Sequence, residues 1–158
     1  MTDVEEVFAK AGPLARALTG YAPRRSQQRM AARVADAIAE RRSLLVEAGT
    51  GTGKTFAYLV PALMSGERVL LSTATKTLQD QLFGRDLPRL IEALGLPVRT
   101  ALLKGRGSYL CLHRMEQARR DASLPDRNVI RTLSKVEEWS RFTKTGDLAE
   151  LPGLDERS

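Results

Sequence analysis

Residues 47–56, EAGTGTGKTF, interleave Gly49, Gly51 and Gly53 with Thr50 and Thr52 and run straight into Lys54 and Thr55. Alternate glycines let successive backbone N–H groups turn inward as an anion-binding nest, and a helix starting there aims its positive end at the same hollow. Lys54 brings a point charge within reach of β- and γ-phosphates, and the Thr55 hydroxyl is placed to ligate Mg2+. The phosphate-holding set is therefore Ala48, Gly49, Thr50, Gly51, Thr52, Gly53, Lys54 and Thr55, with Lys54 and Thr55 also in catalytic roles. Ala48 stands where the strict pattern has glycine, and it permits the turn provided that position needs no positive φ. The bland reading is a glycine-rich turn that binds nothing; the strand before it and the helix after it favour a nucleoside triphosphate, ATP or GTP.

Elements that could hold this turn follow from periodicity. SLLVE (43–47) is a short apolar run ending at the glycines and reads as a buried strand, and a helix follows from Gly53 to about Met64. RVLLST (68–73) and VRTALL (98–103) repeat the strand signal, separated by a helical pattern from Leu78 to Leu94 that stops at Gly95. Upstream, Thr2 and Glu5 have capping-box spacing for a helix running to about Leu18 and ending at Gly20. From Ser26 to Glu40, Met30, Val34 and Ile38 recur every four positions and form a stripe expected to face the core. Alternating strand and helix implies right-handed crossovers, and hence an α/β fold with a parallel sheet and helices on both faces. After Leu103 the alternation ceases. Two amphipathic stretches, 108–122 and 126–142, follow one another, and TGDLAELPGLDERS (145–158) reads as loop.

Composition bounds the partners. The 158 residues are 42% hydrophobic, which suits a globular chain, and 25 Lys+Arg against 19 Asp+Glu give a formal charge of +6 that favours a polyanion. No apolar run is long enough to span a bilayer and the first ten residues are acidic where a signal peptide is basic, so no membrane role and a cytoplasmic location are expected. A single cysteine excludes an internal disulfide. Nothing in the sequence fixes an oligomeric state.

The flanks narrow the class. YAPRRSQQRM places Tyr21, Arg24, Gln27 and Met30 at three-residue intervals some twenty residues before the glycine turn. LLSTATKTLQDQLF carries Thr73, Thr75, Lys76, Thr77 and Gln81 from a strand end into a helix start. With these segments the chain resembles the superfamily 2 helicases, more narrowly the DinG/XPD-like (YoaA-type) iron-sulfur DNA helicases, over about residues 20–115. The resemblance implies a RecA-like P-loop NTPase lobe over 1–103 and the start of a truncated helical iron-sulfur insertion over 104–158. It also implies a Q-motif-like adenine pocket, with Gln27 bonding the adenine edge and Arg24 assisting. An amide suits that edge because it both donates and accepts. It further implies that Thr73, Thr75, Lys76 and Gln81 contact the phosphates of single-stranded DNA. Taken singly, each of these residues could instead be solvated, with Thr77 an N-cap and Gln81 a surface amide.

KGRGSYLCLHRM (104–115) holds the only cysteine. In that family a K-G-R-x-x-Y-L-C motif supplies the first of four cysteine ligands to a four-iron four-sulfur cluster, and Lys104, Gly105, Arg106, Tyr109, Leu110 and Cys111 match it. Lys104 and Arg106 are then placed both to stabilise thiolate beside Cys111 and to grip DNA phosphate. The other reading makes Cys111 a small buried hydrophobe in line with Met115 and Ala118. With one ligand present and three missing, a cluster is expected in a longer chain and not in this one. A second acidic motif, an arginine finger and a second motor lobe are also missing; Asp155 and Glu156 sit next to each other but follow a turn. The resulting expectation is the N-terminal motor portion of an ATP-dependent DNA helicase, moving five-prime to three-prime on single-stranded DNA in repair or replication. This chain alone would bind ATP and Mg2+ without hydrolysis. The alternative is a non-hydrolysing P-loop module that binds nucleotide or DNA. A small-molecule kinase is disfavoured by the flanks.

Overall fold

The structure, a computed structural model, describes residues 3–120, 127–151 and 153. Thr2, Asp155, Glu156 and the ends of the two amphipathic stretches at 121–126 lie outside the described residues. The chain divides into two compact units, Met1–Leu102 and Leu103–Ser158.

The first unit opens with two short helices, α1 (Val4–Val7) and α2 (Pro13–Ala17), instead of one continuous helix to Leu18. Asp3 caps α1 by accepting from the Glu5 N–H. Pro13 donates no backbone hydrogen bond and sits at the start of α2, where that loss costs nothing, so the chain restarts there. Gly12 could not be replaced easily, since a Cβ would press on the Val7 carbonyl.

Helix α3 (Arg25–Ala39) packs on α4 (Lys54–Met64), the helix that follows the glycine turn. The buried side of α3 is set by Gln27, Ala31 and Ala37, while Met30, Val34 and Ile38 are only half-buried. Alanines at a helix crossing bring the backbones close, so the narrow face packs and the bulkier stripe lies beside it. Helix α4 buries Ala57, Leu59, Val60 and Pro61. The pattern read as Leu78–Leu94 is helical from Lys76 onward in three parts: α5 (Lys76–Gln81), a π-helical turn (Leu82–Asp86) and α6 (Leu87–Leu94). It ends at Gly95, whose φ of 62° is the left-handed cap that glycine adopts without strain. Leu82, Leu87 and Leu90 join Val7, Phe8, Leu14, Ala31, Ala57, Leu59 and Val60 in the core.

The parallel sheet is the main difference from expectation. Among the described residues the single β-bridge is antiparallel, between Tyr109 and Asp147. The segments 43–47, 68–73 and 98–103 carry no strand pairing and give the core no side chain. Leu45, Leu70 and Leu103 are 98%, 93% and 83% exposed. The physical reason lies in the helices, which bury their apolar faces on one another and complete a core without the three segments. Parallel strands stay paired when both sheet faces are covered, and here the side carrying Leu45, Leu70 and Leu103 is bare.

In the second unit, α7 (Leu112–Arg120) and α8 (Arg127–Ser140) pack together. Before α7 the chain is held to the loop after α8. Leu110 N–H donates to the Gly146 carbonyl at 2.8 Å, the Lys104 ammonium pairs with Asp147 at 2.7 Å, and Lys104 N–H donates to the Tyr109 hydroxyl at 2.9 Å. That loop is tied in turn by Thr143 and Thr145 donating to Glu150, which holds its carboxyl below the usual carboxylate range. No helix among the described residues is long and apolar enough to cross a membrane.

Unpaired amides exchange quickly. Hydrogen exchange should therefore find residues 44–46, 69–71 and 100–102 close to unprotected peptide rates while Ala57–Val60 are slowed by orders of magnitude. Comparable protection in the two sets would contradict this architecture.

Candidate nucleotide site

Helix α4 begins where the glycine turn ends. Gly51 and Gly53 have φ of 74° and 80°, so these two positions require glycine, whereas the non-glycine residue Ala48 does not have positive φ and Gly49 is unconstrained. The departure from the strict pattern therefore falls where the backbone tolerates it. Thr52 closes the turn by donating from its hydroxyl to the Gly49 carbonyl at 2.9 Å, and Thr50 lies exposed at the tip.

Three cationic or amide side chains grip the loop's own carbonyls. The Lys54 ammonium donates to Ala48 and Gly49, both at 2.7 Å. Gln27, buried on α3, donates from its amide to the Gly53 carbonyl at 3.0 Å. The Arg24 guanidinium, from the residue before α3, bonds the Gly51 carbonyl. Arg24 and Gln27 are thus brought to the glycine turn from more than twenty residues away, and in this structure they act on the turn itself.

A cavity of about 340 Å³ adjoins the turn. Its wall takes Arg24 and Gln27 from the α3 region, Gly53, Thr55 and Phe56 from the start of α4, and Gln81, Arg85, Asp86 and Arg89 from the α5–α6 region. Asp86 is 4% exposed and accepts from Gln81 Nε2 at 3.1 Å and Arg85 Nε at 2.9 Å. Gln81, read from sequence as a DNA contact, therefore faces the cavity side and bonds Asp86. Burial raises the Tyr58 phenol above its ordinary value, a hydrogen bond with the Thr55 side chain opposes the rise, and the Asp86 carboxylate adds to it. Tyr58 is accordingly a neutral hydroxyl in contact with Thr55, the residue expected from the sequence to ligate magnesium. Burial likewise raises Tyr21, whose hydroxyl donates to the Phe8 carbonyl at 3.2 Å.

Asp86, Arg85, Arg89 and Tyr58 were not singled out by sequence. A signal existed for Asp86, since Leu82, Asp86 and Leu90 share four-residue spacing and a carboxylate interrupts an apolar row. The turn of π-helix that places its neighbours has no such signature.

The remaining expected residues lie elsewhere. Thr75 caps α5 by accepting from the Leu78 N–H at 3.2 Å, Thr73 donates to the Thr75 carbonyl at 3.4 Å, and Lys76 is exposed at the helix start. In the second unit the Lys104 side chain is 6% exposed against Asp147, whereas Arg106 is exposed. Cys111 is exposed and free, in place of the buried position its apolar spacing allows. Among the described residues no three His, Cys, Asp or Glu side chains gather as a metal site. One thiolate does not hold a four-iron cluster, so the residues present do not fit that group.

A left-handed glycine turn thus caps α4, with the first helical lysine folded over it. The chain belongs to the DEAD/DEAH box helicase family, whose model matches residues 25–138. It is 48% identical over 155 residues to an ATP-dependent DNA helicase YoaA of Haemophilus influenzae, covering 98% of this chain and 24% of that protein. It is 46% identical over 152 residues to an ATP-dependent DNA helicase YoaA of Escherichia coli, covering 96% of this chain and 24% of that protein. It is 41% identical over 167 residues to an ATP-dependent helicase DinG of Mycobacterium tuberculosis, covering 92% and 25% respectively. The chain thus spans about a quarter of the length of these relatives. No solved structure matches it.

Replacing Gly53 with alanine combines a left-handed backbone with a Cβ driven into the Gln27 amide. Gly53→Ala should lower unfolding stability by about 1–3 kcal/mol, read as a reduced urea midpoint. Gly49→Ala should leave the midpoint nearly unchanged.

Proposed function

We propose that this chain is the nucleotide-binding part of an ATP-dependent DNA helicase, in which Lys54 and Thr55 receive the triphosphate and its Mg2+. The observation that carries the reading is the Lys54 ammonium held over the glycine turn at the start of α4, 2.7 Å from each of two loop carbonyls. A triphosphate offers that ammonium charged acceptors in exchange for neutral ones, and charge-assisted bonds are roughly twice as strong. Loop N–H groups and the α4 dipole favour the same anion. Arg24 and Gln27 are proposed to help hold the adenine end, and Thr55 to place the metal.

The relatives' names support ATP as the nucleotide and DNA as the polymer. Thr73, Thr75, Lys76 and Arg106 are proposed as backbone contacts to single-stranded DNA, with Gln81 and Lys104 supporting these segments from inside. The DinG/XPD-like motifs further favour five-prime to three-prime movement in repair or replication, in the cytoplasm. The segments 43–47, 68–73 and 98–103 are proposed to pair in a parallel sheet once further chain covers their exposed leucines. Cys111 is proposed as a single cluster ligand whose companions come from outside these residues. Alone, the chain is proposed to bind nucleotide without turning it over.

Calorimetry with Mg–ATP should give measurable binding to the wild type and at least tenfold weaker binding to Lys54→Ala; equal affinities overturn the reading. Single-stranded DNA affinity should fall steeply with salt, and Arg106→Ala should flatten the log–log slope by about one. A slope near zero in the wild type would remove DNA from the proposal.

A further inference from the structure

We infer that Asp86 is a specificity-determining residue of the nucleotide cavity, accepting a hydrogen bond from the exocyclic 6-amino group of adenine. The inference rests on the reading of that cavity as a nucleotide site. Its starting point is a carboxylate in an unfavourable place. Asp86 is 4% exposed, sits between core residues Leu82, Leu87 and Leu90, and yet forms part of the cavity wall with Gln27, Gly53 and Thr55. A buried charge is costly unless hydrogen-bonded, and packing at this position would be served by another leucine.

Its partners leave it capacity. Oδ1 takes the Arg85 Nε–H and Oδ2 takes the Gln81 amide, one donor each. An ionised carboxylate accepts about four hydrogen bonds, so each oxygen has room for another donor. Arg85 and Gln81 also fix its plane. The backbone adds a second observation: Asp86 closes the π-helical turn Leu82–Asp86, and single π turns are rare and occur frequently at functional sites. The wider π turn changes the rotation of Asp86 and α6 relative to α5, and so sets how Asp86 meets Gln81.

The cavity already has a phosphate end, set by Gly53 and Thr55 at the start of α4. Asp86 lies on the other structural element of the wall, contributed by the α5–α6 region. An acceptor-only group there suits a base edge that donates. A 6-oxo purine in the same pose would set its carbonyl against the carboxylate, which gives selection for adenine over guanine.

The test compares ATP with purine riboside triphosphate, the same molecule without the 6-amino group, on the 158-residue chain. Wild type should bind the deaminated analogue about tenfold more weakly, a bond to a charged acceptor being worth that much or more. Asp86→Ala should bind ATP about tenfold more weakly than wild type and no longer distinguish the two ligands. Asp86→Asn preserves shape and keeps one acceptor, and should fall between them. Equal binding of both ligands by wild type overturns the assignment of Asp86 alone. So does an Asp86→Ala protein that weakens both ligands equally and keeps the preference. A wild type that binds neither triphosphate overturns the nucleotide reading itself.

Discussion

The glycine turn can exist only because its carbonyls have donors. A loop that points amide N–H groups inward to receive an anion leaves backbone oxygens with no helical or strand partner, and such groups need compensation. Here Lys54 serves Ala48 and Gly49, Thr52 serves Gly49 and Arg24 serves Gly51, while Gln27 adds a second donor to the Gly53 carbonyl, which also accepts the helical bond from Ala57 N–H. The donors come from the turn itself, from α4 and from the α3 region, so the helices add to what the glycines of the turn set locally. Ala31 and Ala57, both fully buried, set the closeness of those helices and with it the reach of Gln27.

How much of this was written plainly in the sequence depends on whether the signal was local. The phosphate turn, the start of α4 at Gly53 and the stop at Gly95 are local backbone demands, and glycine marks them in any context. The unit boundary near residue 103 also shows locally, as a change of period. Non-local features did not show. That Gln81 turns toward Asp86, or that Lys104 lies against Asp147 forty-three residues on, follows from packing that no spacing encodes. The break between α1 and α2 was legible in principle: the Gly12–Pro13 pair outweighs the apolar periodicity around it.

Lys104 changes the electrostatics assigned to the cysteine segment. Read from sequence, Lys104 and Arg106 both contribute positive field beside Cys111. In the structure the Lys104 charge is largely cancelled by Asp147 at 2.7 Å and its side chain is withdrawn from solvent, leaving Arg106 as the exposed cation of the pair. The ion pair, the Tyr109 hydroxyl and the Leu110–Gly146 bond together fasten the KGRGSYLC segment to the loop after α8. The lysine thus contributes to where Cys111 sits more than to the potential around it.

The exposed segments and the buried site have opposite requirements. Leu45, Leu70 and Leu103 stand 83% to 98% in solvent, and covering one such side chain is worth roughly 1.5–3 kcal/mol. That gain is withheld until something lies on the segments, because three isolated strands lose more conformational entropy in pairing than uncovered ladders return. The nucleotide turn does not wait on it. Its donors come from the turn itself, from the α3 region and from α4, and the α3–α4 contact is complete without any strand, so the α4 N-terminus is positioned without help from the three exposed segments.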